Sequence, residues 1–323
     1  MKILYIGTPE TYRLYKEGKN PSHWLYGAVE MEKDGHEVFW ESESISLLND
    51  LRLVRRYKPD AVFIPNLNLR AHYLLLLFSS LHFIGIPIYA YLHHSPISGS
   101  GMKQLVCSFL FTGLRHCFFL SKKTMTETVS SGCLSLEHCS LPSWGPDMDF
   151  YKKYKEKAAE EEYYISTGKE NRDFQLLIDV FKETKKKLKI ITCQKHGGRE
   201  YSELTSLCEN ISNIEVIITE NSGDVYPFML REMASAKALV CPLLKENLTY
   251  CVGLSTITDA EGLGKPLIIT ANPYHDKARI SVFNVVEDAE DWIEAINNLK
   301  ISSVISSYNM CSCYKEMKRI MFN

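Results

Sequence analysis

Short apolar runs alternate with helical patterns along this chain, and the alternation begins a second time after a break near residue 150. Such an alternation is typical of a parallel sheet with crossover helices. The predicted strands of the first half are residues 2–6, 37–40, 61–65, 87–92 and 117–120, and those of the second half are 163–166, 188–192, 214–218, 238–243, 266–270 and 282–286. The sequence therefore predicts an α/β protein with two Rossmann-like β/α/β domains.

The break itself contains Pro and Gly over residues 141–151 and a run of charged residues over 152–162. Neither pattern is typical of a core element, so we interpret the break as a linker. We place the first domain at residues 1–150, the linker at 151–159 and the second domain at 160–305. A chain of 323 residues with 45% hydrophobic residues is long enough for two such domains.

The charge balance bears on the partners of the protein. A formal net charge of -2 gives no global field that would attract nucleic acid, so any phosphate must be bound locally.

The ten cysteines lie in apolar runs without the spacing of metal ligands, which favours buried thiols in a reducing compartment. The close pair Cys311 and Cys313 has no second pair nearby, and we predict plain thiols there.

The N-terminal residues read as a strand and lack the pattern of a signal peptide, so we expect a cytoplasmic protein. The most apolar segment, residues 72–86, is too short and too interrupted to span a bilayer. It is interpreted as a buried helix between two strands. The alternative is an interfacial helix that lets the protein rest on the inner face of a membrane.

Two segments of the second half are suited to a phosphate. Residues 253–256 precede a helical pattern, so the backbone N–H groups of Leu254, Ser255 and Thr256 are expected to be the unpaired donors of a helix N-terminus. The alternative there is a capped helix without a ligand. Residues 166–173 leave a strand and enter a helix, with Lys169 and Arg172 in the loop. Two cations and a helix N-terminus together can hold a diphosphate.

Four stretches then resemble one family in matching order: the loop and helix of residues 164–178, the helix and strand of 225–242, the segment 251–270 and the hinge of 140–151. They are similar to the family 4 glycosyltransferases, retaining enzymes of the GT-B fold that use nucleotide-activated sugars. The resemblance implies two Rossmann-like domains that face a central cleft, with the nucleotide sugar on the second domain. It also implies that the last helix, within residues 307–323, packs on the first domain.

The resemblance implies transfer of a sugar from a nucleotide diphosphate sugar, most simply a UDP-sugar, to a glycan, a lipid-linked glycan or a small molecule. No cofactor and no metal are then required, because Lys169, Arg172 and the helix N-terminus stabilise the charge of the departing diphosphate. The donor-binding residues that it implies are Gly168, Lys169, Arg172, Gly253, Leu254, Ser255, Thr256 and Asp259.

The sequence departs from the family in its acidic motif. The family carries two glutamates eight positions apart, and here the second aligns with Asp259 and the first with Cys251. Asp259 retains the ability to accept hydrogen bonds from a ribose, whereas Cys251 does not replace a carboxylate. Glu246, a few residues earlier, is the carboxylate that we expect near the sugar instead.

Residues of the first domain are assigned by the same resemblance. His93 aligns with the strand-end histidine that lies against the donor sugar, and His94 is adjacent. Neighbouring strand residues face opposite ways, so only one of the two can point into the cleft. Residues 21–28 resemble the family's loop that approaches the donor and the acceptor. In this resemblance, Trp24 and Tyr26 stack on a sugar, and Gly27 allows the backbone to approach closely. The alternative for each is a structural role in the core.

Two other functions remain open from the sequence. One is a GT-B sugar-nucleotide epimerase, which differs in needing no acceptor. The other is a non-catalytic binding or scaffold subunit, to which the replacement of the first acid by Cys251 points.

Overall fold

The computed structural model describes residues 1–46, 48–96, 101–220, 222–301 and 307–322. Its strands are β1 Lys2–Gly7, β2 Glu37–Ser42, β3 Ala61–Ile64, β4 Ile88–Leu92, β5 His116–Phe119, β6 Cys139–Ser140, β7 Tyr163–Thr167, β8 Lys187–Cys193, β9 Lys195–His196, β10 Arg199–Glu200, β11 Ile214–Thr219, β12 Ala238–Cys241, β13 Leu267–Thr270 and β14 Asn284–Val286.

Its helices are α1 Pro9–Lys16, α2 Ala28–Lys33, α3 Asn49–Tyr57, α4 Tyr73–Ser80, α5 Met102–Phe111, α6 Lys122–Ser130, α7 Met148–Lys155, α8 Phe174–Thr184, α9 Glu203–Cys208, α10 Val225–Ser235, α11 Leu254–Leu263, α12 Lys277–Ile280, α13 Ala289–Asn297 and α14 Met310–Met321. The chain divides into two compact units, one of Met1–Gly145 with Ser307–Asn323 and one of Pro146–Ser306.

The first unit contains a six-stranded sheet in the order β2-β1-β3-β4-β5-β6, and every neighbouring pair is parallel. Strands β3, β4 and β5 are buried along their whole length because helices cover both faces of a parallel sheet. A core of aliphatic side chains, among them Leu4, Val62 and Leu76, lies on one of these faces.

The second unit contains a parallel sheet in the order β11-β8-β7-β12-β13-β14. Without the small β9–β10 hairpin, this is the order 3-2-1-4-5-6 of a dinucleotide-binding Rossmann fold. Its core joins α8 and α13 to the sheet through side chains such as Leu177, Phe181 and Trp292. The two predicted Rossmann-like domains with parallel sheets are therefore confirmed.

The C-terminal helix α14 packs within the first unit. The Tyr91 hydroxyl contacts Met317 Sδ at 3.3 Å, and the Tyr89 hydroxyl donates to the Met321 carbonyl at 3.3 Å. The Tyr314 hydroxyl donates to Asp34 Oδ2 at 2.8 Å. These contacts bring the end of the chain onto strand β4 and the end of α2.

The segment predicted as a linker differs from the expectation. Residues Met148–Lys155 form α7, which belongs to the second unit and buries Phe150, Tyr151 and Tyr154. The charged residues that suggested a solvated run lie on the other face of this helix. Its aromatic face packs on α10 and α11, so most of residues 151–159 contributes to the second unit.

Candidate functional site

The order of the second sheet places a topological switch point between β7 and β12. From β7 the chain proceeds to β8 and β11 on one side, and from β12 to β13 and β14 on the other. The loops that follow β7 and β12 therefore diverge and leave a crevice at the carboxyl ends of the strands, which is where open α/β sheets bind ligands. The predicted donor-binding residues of the second unit lie in these two loops and at the start of α11.

The two loops are joined by backbone hydrogen bonds. Arg172 forms an isolated antiparallel bridge with Leu243. On either side of this bridge, the Leu244 N–H donates to the Asn171 carbonyl at 3.1 Å and the Asp173 N–H donates to the Pro242 carbonyl at 3.2 Å. The backbone on both sides of the switch point is therefore fixed before any ligand binds.

Arg172 is the cation that this arrangement brings into the site. Its side chain is buried, with Nη1 donating to the Glu170 carbonyl at 2.7 Å and Nη2 donating to Thr256 Oγ1 at 3.1 Å. The Nε–H is buried without a hydrogen-bond partner among the described residues. No carboxylate in the described part of the chain lies within ion-pair distance of this guanidinium.

Gly168 is required by this position of Arg172. Its φ is +101°, and a Cβ there would lie 2.9 Å from Arg172 Nη2. A side chain at this position would therefore be strained by the backbone and would meet the guanidinium.

Helix α11 begins beside this guanidinium. Gly253 takes the N-cap position with a φ of +91°, and the first α-helical hydrogen bond runs from the Ile257 N–H to the Gly253 carbonyl. The prediction of three unpaired donors is wrong for Leu254, whose N–H donates to the Cys251 carbonyl at 3.1 Å. The N–H groups of Ser255 and Thr256 donate to no described residue, and the Thr256 side chain is buried against Arg172. The helix start therefore presents two backbone donors next to a buried cation.

Lys169, the other predicted cation, is exposed. It lines a depression of about 360 Å³ whose other basic residues are His196 and Arg199 of the β9–β10 hairpin. Tyr201, whose hydroxyl donates to the Lys169 carbonyl at 2.7 Å, and Tyr250 also line it. The two predicted cations therefore have different environments. Arg172 is buried at the start of α11, and Lys169 is exposed at this depression.

Sequence reasoning missed Arg199 and His196. The signal was available in the two consecutive glycines between them, because Gly197 and Gly198 have φ values of +57° and +79° and turn the hairpin. A basic hairpin with a glycine turn is suited to approach an anion closely.

Asp259 lies in the second turn of α11 and is buried. Its Oδ1 accepts hydrogen bonds from the Tyr151 hydroxyl at 2.6 Å and from the Tyr226 hydroxyl at 2.7 Å. Burial raises the pKa of Asp259 to about 6, and the two tyrosine hydrogen bonds and Arg172 oppose this rise. A ribose hydroxyl would have to bond the other carboxylate oxygen, because Oδ1 already accepts twice.

The two remaining acidic-motif positions differ from each other. Cys251 is buried, and burial raises the pKa of its thiol to about 12, so it is not a charged group at neutral pH. Glu246 is exposed in the 3₁₀ turn Lys245–Asn247.

The loop before α11 is held by residues that the sequence did not single out. Asn272 Nδ2 donates to the Tyr250 and Val252 carbonyls at 3.0 and 3.1 Å, and His275 Nε2 donates to the Val252 carbonyl at 2.9 Å. These bonds fix the backbone that leads into the helix N-terminus.

A buried ion pair holds α12 against α11. Arg279 Nε and Nη2 both donate to the Glu261 carboxylate, at 2.9 and 2.5 Å, and Nη2 also donates to Thr258 Oγ1 at 3.1 Å. Arg279 therefore has a carboxylate partner in Glu261, whereas Arg172 has none among the described residues.

The first unit has a pocket of its own at the carboxyl ends of its strands. Its sheet order 2-1-3 places the switch point between β1 and β3, and a depression of about 680 Å³, here called the β1–β3 pocket, opens there. Trp24, Tyr26 and His93 line it, and both aromatic residues are partly exposed. His94 is exposed and does not line this pocket.

His93 is held at the edge of the β1–β3 pocket. Its Nε2 lies 3.1 Å from the Pro65 carbonyl, and its ring lies 5.4 Å from the ring of Tyr26. Desolvation lowers the pKa of His93 to about 4, so the ring is neutral at pH 7. A carbonyl only accepts, so Nε2 carries the proton and Nδ1 is left as an acceptor.

Gly27 has a different neighbour from the one expected. Its φ is +93°, and a Cβ there would lie 3.3 Å from Met317 Sδ and 3.6 Å from Met310 Cε. Its close approach is to helix α14. The sequence could not show this, because the two segments are almost the length of the chain apart.

Three solved structures are similar to this chain along nearly its whole length. The Anabaena HepE protein in complex with UDP gives a TM-score of 0.64 at 12% identity and 99% coverage of both chains. AviGT4, a glycosyltransferase involved in avilamycin A biosynthesis, gives 0.62 at 12% identity, covering 100% of this chain and 99% of that chain. The UDP-GlcNAc 2-epimerase from Neisseria meningitidis bound to UDP-GlcNAc gives 0.60 at 12% identity and 99% coverage of both chains.

No protein-family model matches the sequence, and no curated protein matches it either. What the chain shares with the solved structures is the fold. Its two parallel six-stranded sheets with alternating helices are the two Rossmann-like domains of the GT-B fold.

The described residues contain neither a membrane-spanning helix nor a group of metal ligands. None of the described helices is long and apolar enough to cross a membrane. In the same residues, no three His, Cys, Asp or Glu side chains are grouped so that they could hold a metal ion.

Proposed function

We propose that this protein is a retaining, metal-independent glycosyltransferase that moves a sugar from a nucleotide diphosphate sugar to an acceptor. The second unit binds the donor in this proposal, and the first unit binds the acceptor. His93 contacts the transferred sugar through Nδ1, and Glu246 is the carboxylate nearest to the position of the missing first acid in sequence.

The observation that carries the proposal is the buried guanidinium of Arg172 at the start of α11. It has no carboxylate partner among the described residues, and the N–H groups of Ser255 and Thr256 lie on the same helix start. A buried cation is costly without a counter-ion, and a helix N-terminus favours negative charge. A diphosphate supplies that charge, and these donors would stabilise it as the glycosidic bond to the sugar breaks. The fold similarity to structures solved with UDP supports uridine as the nucleoside.

Calorimetric titration with UDP tests this proposal. We expect Arg172→Ala to weaken UDP binding by about 1.5–3 kcal/mol, the contribution of a hydrogen bond to a charged group. Arg172→Lys should restore only part of this loss, because the planar fork is absent. Arg231→Ala, which removes an exposed arginine of α10, is the matched control and should bind UDP as the unchanged protein does. Equal UDP affinity in the Arg172→Ala and Arg231→Ala variants would contradict the donor site.

Asp259 is the proposed ribose anchor. Asp259→Asn should weaken uridine and UDP by the same factor, because the ribose is common to both ligands. Arg172→Ala should spare uridine and weaken UDP alone. If Asp259→Asn leaves uridine binding unchanged, Asp259 serves only the hydrogen bonds to Tyr151 and Tyr226.

A sugar-nucleotide epimerase is the second candidate. It is favoured by the similarity to UDP-GlcNAc 2-epimerases. Incubation with UDP-GlcNAc and no acceptor separates the two functions. An epimerase forms the C2 epimer of the nucleotide sugar, whereas a transferase forms none. UDP binding without any turnover of UDP-sugars would indicate a non-catalytic binding subunit.

Peripheral association with a membrane is part of the proposal. It is supported by exposed apolar side chains on the adjacent helices α4 and α5 and on residues 81–83, which follow α4. Phe83 is 73% exposed, and Met102, Leu105, Val106 and Phe109 form an exposed stripe on α5. Residues 51–145 also carry nine Lys and Arg against three Asp and Glu. An apolar stripe in a basic region is suited to an anionic lipid surface.

A further inference from the structure

Two acidic side chains to which the proposed transfer assigns no role line the β1–β3 pocket. Glu10 and Glu43 line it together with the polar side chains of Ser42 and Asn66. No Lys or Arg is among the described residues that line it. Glu10 is paired with Arg13 at 2.5 Å, whereas no Lys or Arg in the described part of the chain pairs with Glu43.

Glu43 is held in place at the end of β2. Its backbone N–H donates to the Gly7 carbonyl at 3.0 Å, which continues the pairing of β2 with β1 beyond the last strand residue. Its Oε1 accepts a hydrogen bond from Asn68 Nδ2 at 2.8 Å. Both the backbone and one carboxylate oxygen are therefore fixed at the edge of the pocket.

A buried histidine lies behind the second carboxylate oxygen of Glu43. His72 Nδ1 donates to Asp50 Oδ2 at 2.7 Å, and both side chains are fully buried. His72 Nε2 has no hydrogen-bond partner among the described residues and lies 3.8 Å from Glu43 Oε2. This is about 1 Å beyond a hydrogen bond, and because Nδ1 already donates to Asp50, only an imidazole that carries both protons could donate from Nε2 to the Glu43 carboxylate.

A buried polar atom without a partner is costly, and here the nearest carboxylate is one that lines a pocket. Asp50 fixes the orientation of the imidazole, and the imidazole in turn limits where the carboxylate can lie. Glu43 is therefore pre-organised as a hydrogen-bond acceptor for a ligand in the pocket.

The pocket also indicates the class of ligand. Trp24 and Tyr26 supply flat apolar faces, and Glu43, Ser42 and Asn66 supply hydrogen-bonding groups. Sugars have apolar faces rimmed by hydroxyl groups, and a carboxylate accepts strong hydrogen bonds from hydroxyls. Two carboxylates and no lining Lys or Arg disfavour a ligand that carries a phosphate.

We propose that the β1–β3 pocket is a subsite for a neutral saccharide, in which Glu43 accepts a hydroxyl and His72, held by Asp50, is a positioning residue. As the acceptor subsite it rests on the proposed glycosyl transfer, and it assigns that reaction a sugar acceptor without a phosphate next to the reacting hydroxyl.

Saturation-transfer NMR with the full chain tests this inference, with glucose, mannose, N-acetylglucosamine and glucose 6-phosphate as probes. We expect transfer to at least one neutral sugar and none to the phosphate ester. Glu43→Gln should weaken the binding of that sugar at least tenfold. Glu137→Gln, at an exposed glutamate of the same unit, is the matched control and should leave it unchanged. Binding of no neutral sugar, stronger binding of glucose 6-phosphate, or equal affinity in the two variants would overturn the inference.

The positioning role has its own readout in the ¹⁵N resonances of the His72 ring. The Nε2 resonance should shift when the sugar binds to the unchanged protein and should not shift in Glu43→Gln. A His72 that only holds α3 and α4 together would show no shift in either protein.

UDP titration of the same variants separates this inference from the donor site. Glu43→Gln should bind UDP with unchanged affinity, because Glu43 belongs to the first unit. Saccharide binding without UDP binding would leave the saccharide subsite standing and contradict the proposed transfer. UDP binding without saccharide binding would do the reverse.

Discussion

The Nη2 group of Arg172 donates a hydrogen bond to Oγ1 of Thr256 at 3.1 Å, and this bond connects the loop after β7 to the first turn of α11. The two residues are 84 positions apart in sequence. The bond orients a buried cation at a helix N-terminus, so it contributes both to the stability of the second unit and to the shape of the proposed diphosphate site.

Thr256→Val keeps the shape of the side chain and removes the acceptor. The guanidinium is then left with one more buried donor unsatisfied, which should lower the free energy of unfolding by about 1–3 kcal/mol. UDP binding should weaken less than in Arg172→Ala, because the charge remains. Urea unfolding and calorimetry measure the two effects. Thr205→Val, at an exposed position of α9, is the control, and an equal stability of both valine variants would contradict the role of this bond.

Asp259 makes the stability of the protein depend on pH. Its pKa of about 6 in the folded protein lies above its ordinary value of 3.8, so the folded state binds more protons between these pH values. The contribution of this group to the free energy of unfolding therefore falls as pH rises from about 4 to 6, by on the order of 3 kcal/mol. In Asp259→Asn this dependence should disappear, so the variant should gain stability relative to the unchanged protein as pH rises.

Urea unfolding at pH 4, 5 and 7 measures this difference. Asp179→Asn, at an exposed aspartate of α8, should follow the unchanged protein at all three pH values. A stability difference between the protein and Asp259→Asn that is the same at pH 4 and pH 7 would show that the carboxyl is not shifted upward.

Gly262 is in contact with the ring of Tyr151. A Cβ at this position would lie 2.4–2.6 Å from three atoms of that ring. Gly262→Ala should therefore displace α7 from α11 and lower the free energy of unfolding by about 1–3 kcal/mol, as over-packing does. Gly85→Ala is the control, because a Cβ there meets nothing within 4 Å. Equal thermal melting temperatures of the two variants would contradict the close packing of α7.

The exposed stripe of α5 gives the prediction for membranes. The full chain should sediment with vesicles that contain phosphatidylglycerol and should bind vesicles of phosphatidylcholine alone more weakly. Leu105→Gln with Phe109→Gln should reduce the bound fraction at least threefold, because the apolar contact is lost. Leu136→Gln changes an exposed leucine outside the stripe and should bind as before. No sedimentation with either vesicle would remove the membrane from the proposal.

The strands and most helices could be predicted from the sequence because their apolar patterns are local. The same holds for Arg172, which follows a strand and a glycine and precedes a helix, so that its place at the switch point depends only on its neighbours. Strand β6 was missed because it has only two residues, Cys139–Ser140.

Other parts depend on partners that are distant in sequence. Helix α7 has the pattern of a linker because charged residues dominate it, whereas the buried Tyr151 hydroxyl donates a hydrogen bond to Asp259, 108 positions later. Lys169 and Arg172 looked alike in one loop, and only the folded backbone separates the exposed side chain from the buried one. Glu43 gave no signal, because its neighbours Asn68 and His72, which lie between β3 and α4, approach it only in the folded unit.

The packing of α14 on the first unit has a consequence for how the protein is made. Residues Met1–Gly145 leave the ribosome first, but the contacts of Gly27 and Tyr91 with Met317 need the last residues of the chain. Translation of the intervening segment takes on the order of ten to forty seconds at typical rates of elongation. During that interval, the unit that is synthesised first lacks the helix that packs against β4, while the second unit has all of its own sequence and can fold. The nascent chain therefore completes its domains in the reverse of the order in which it encodes them.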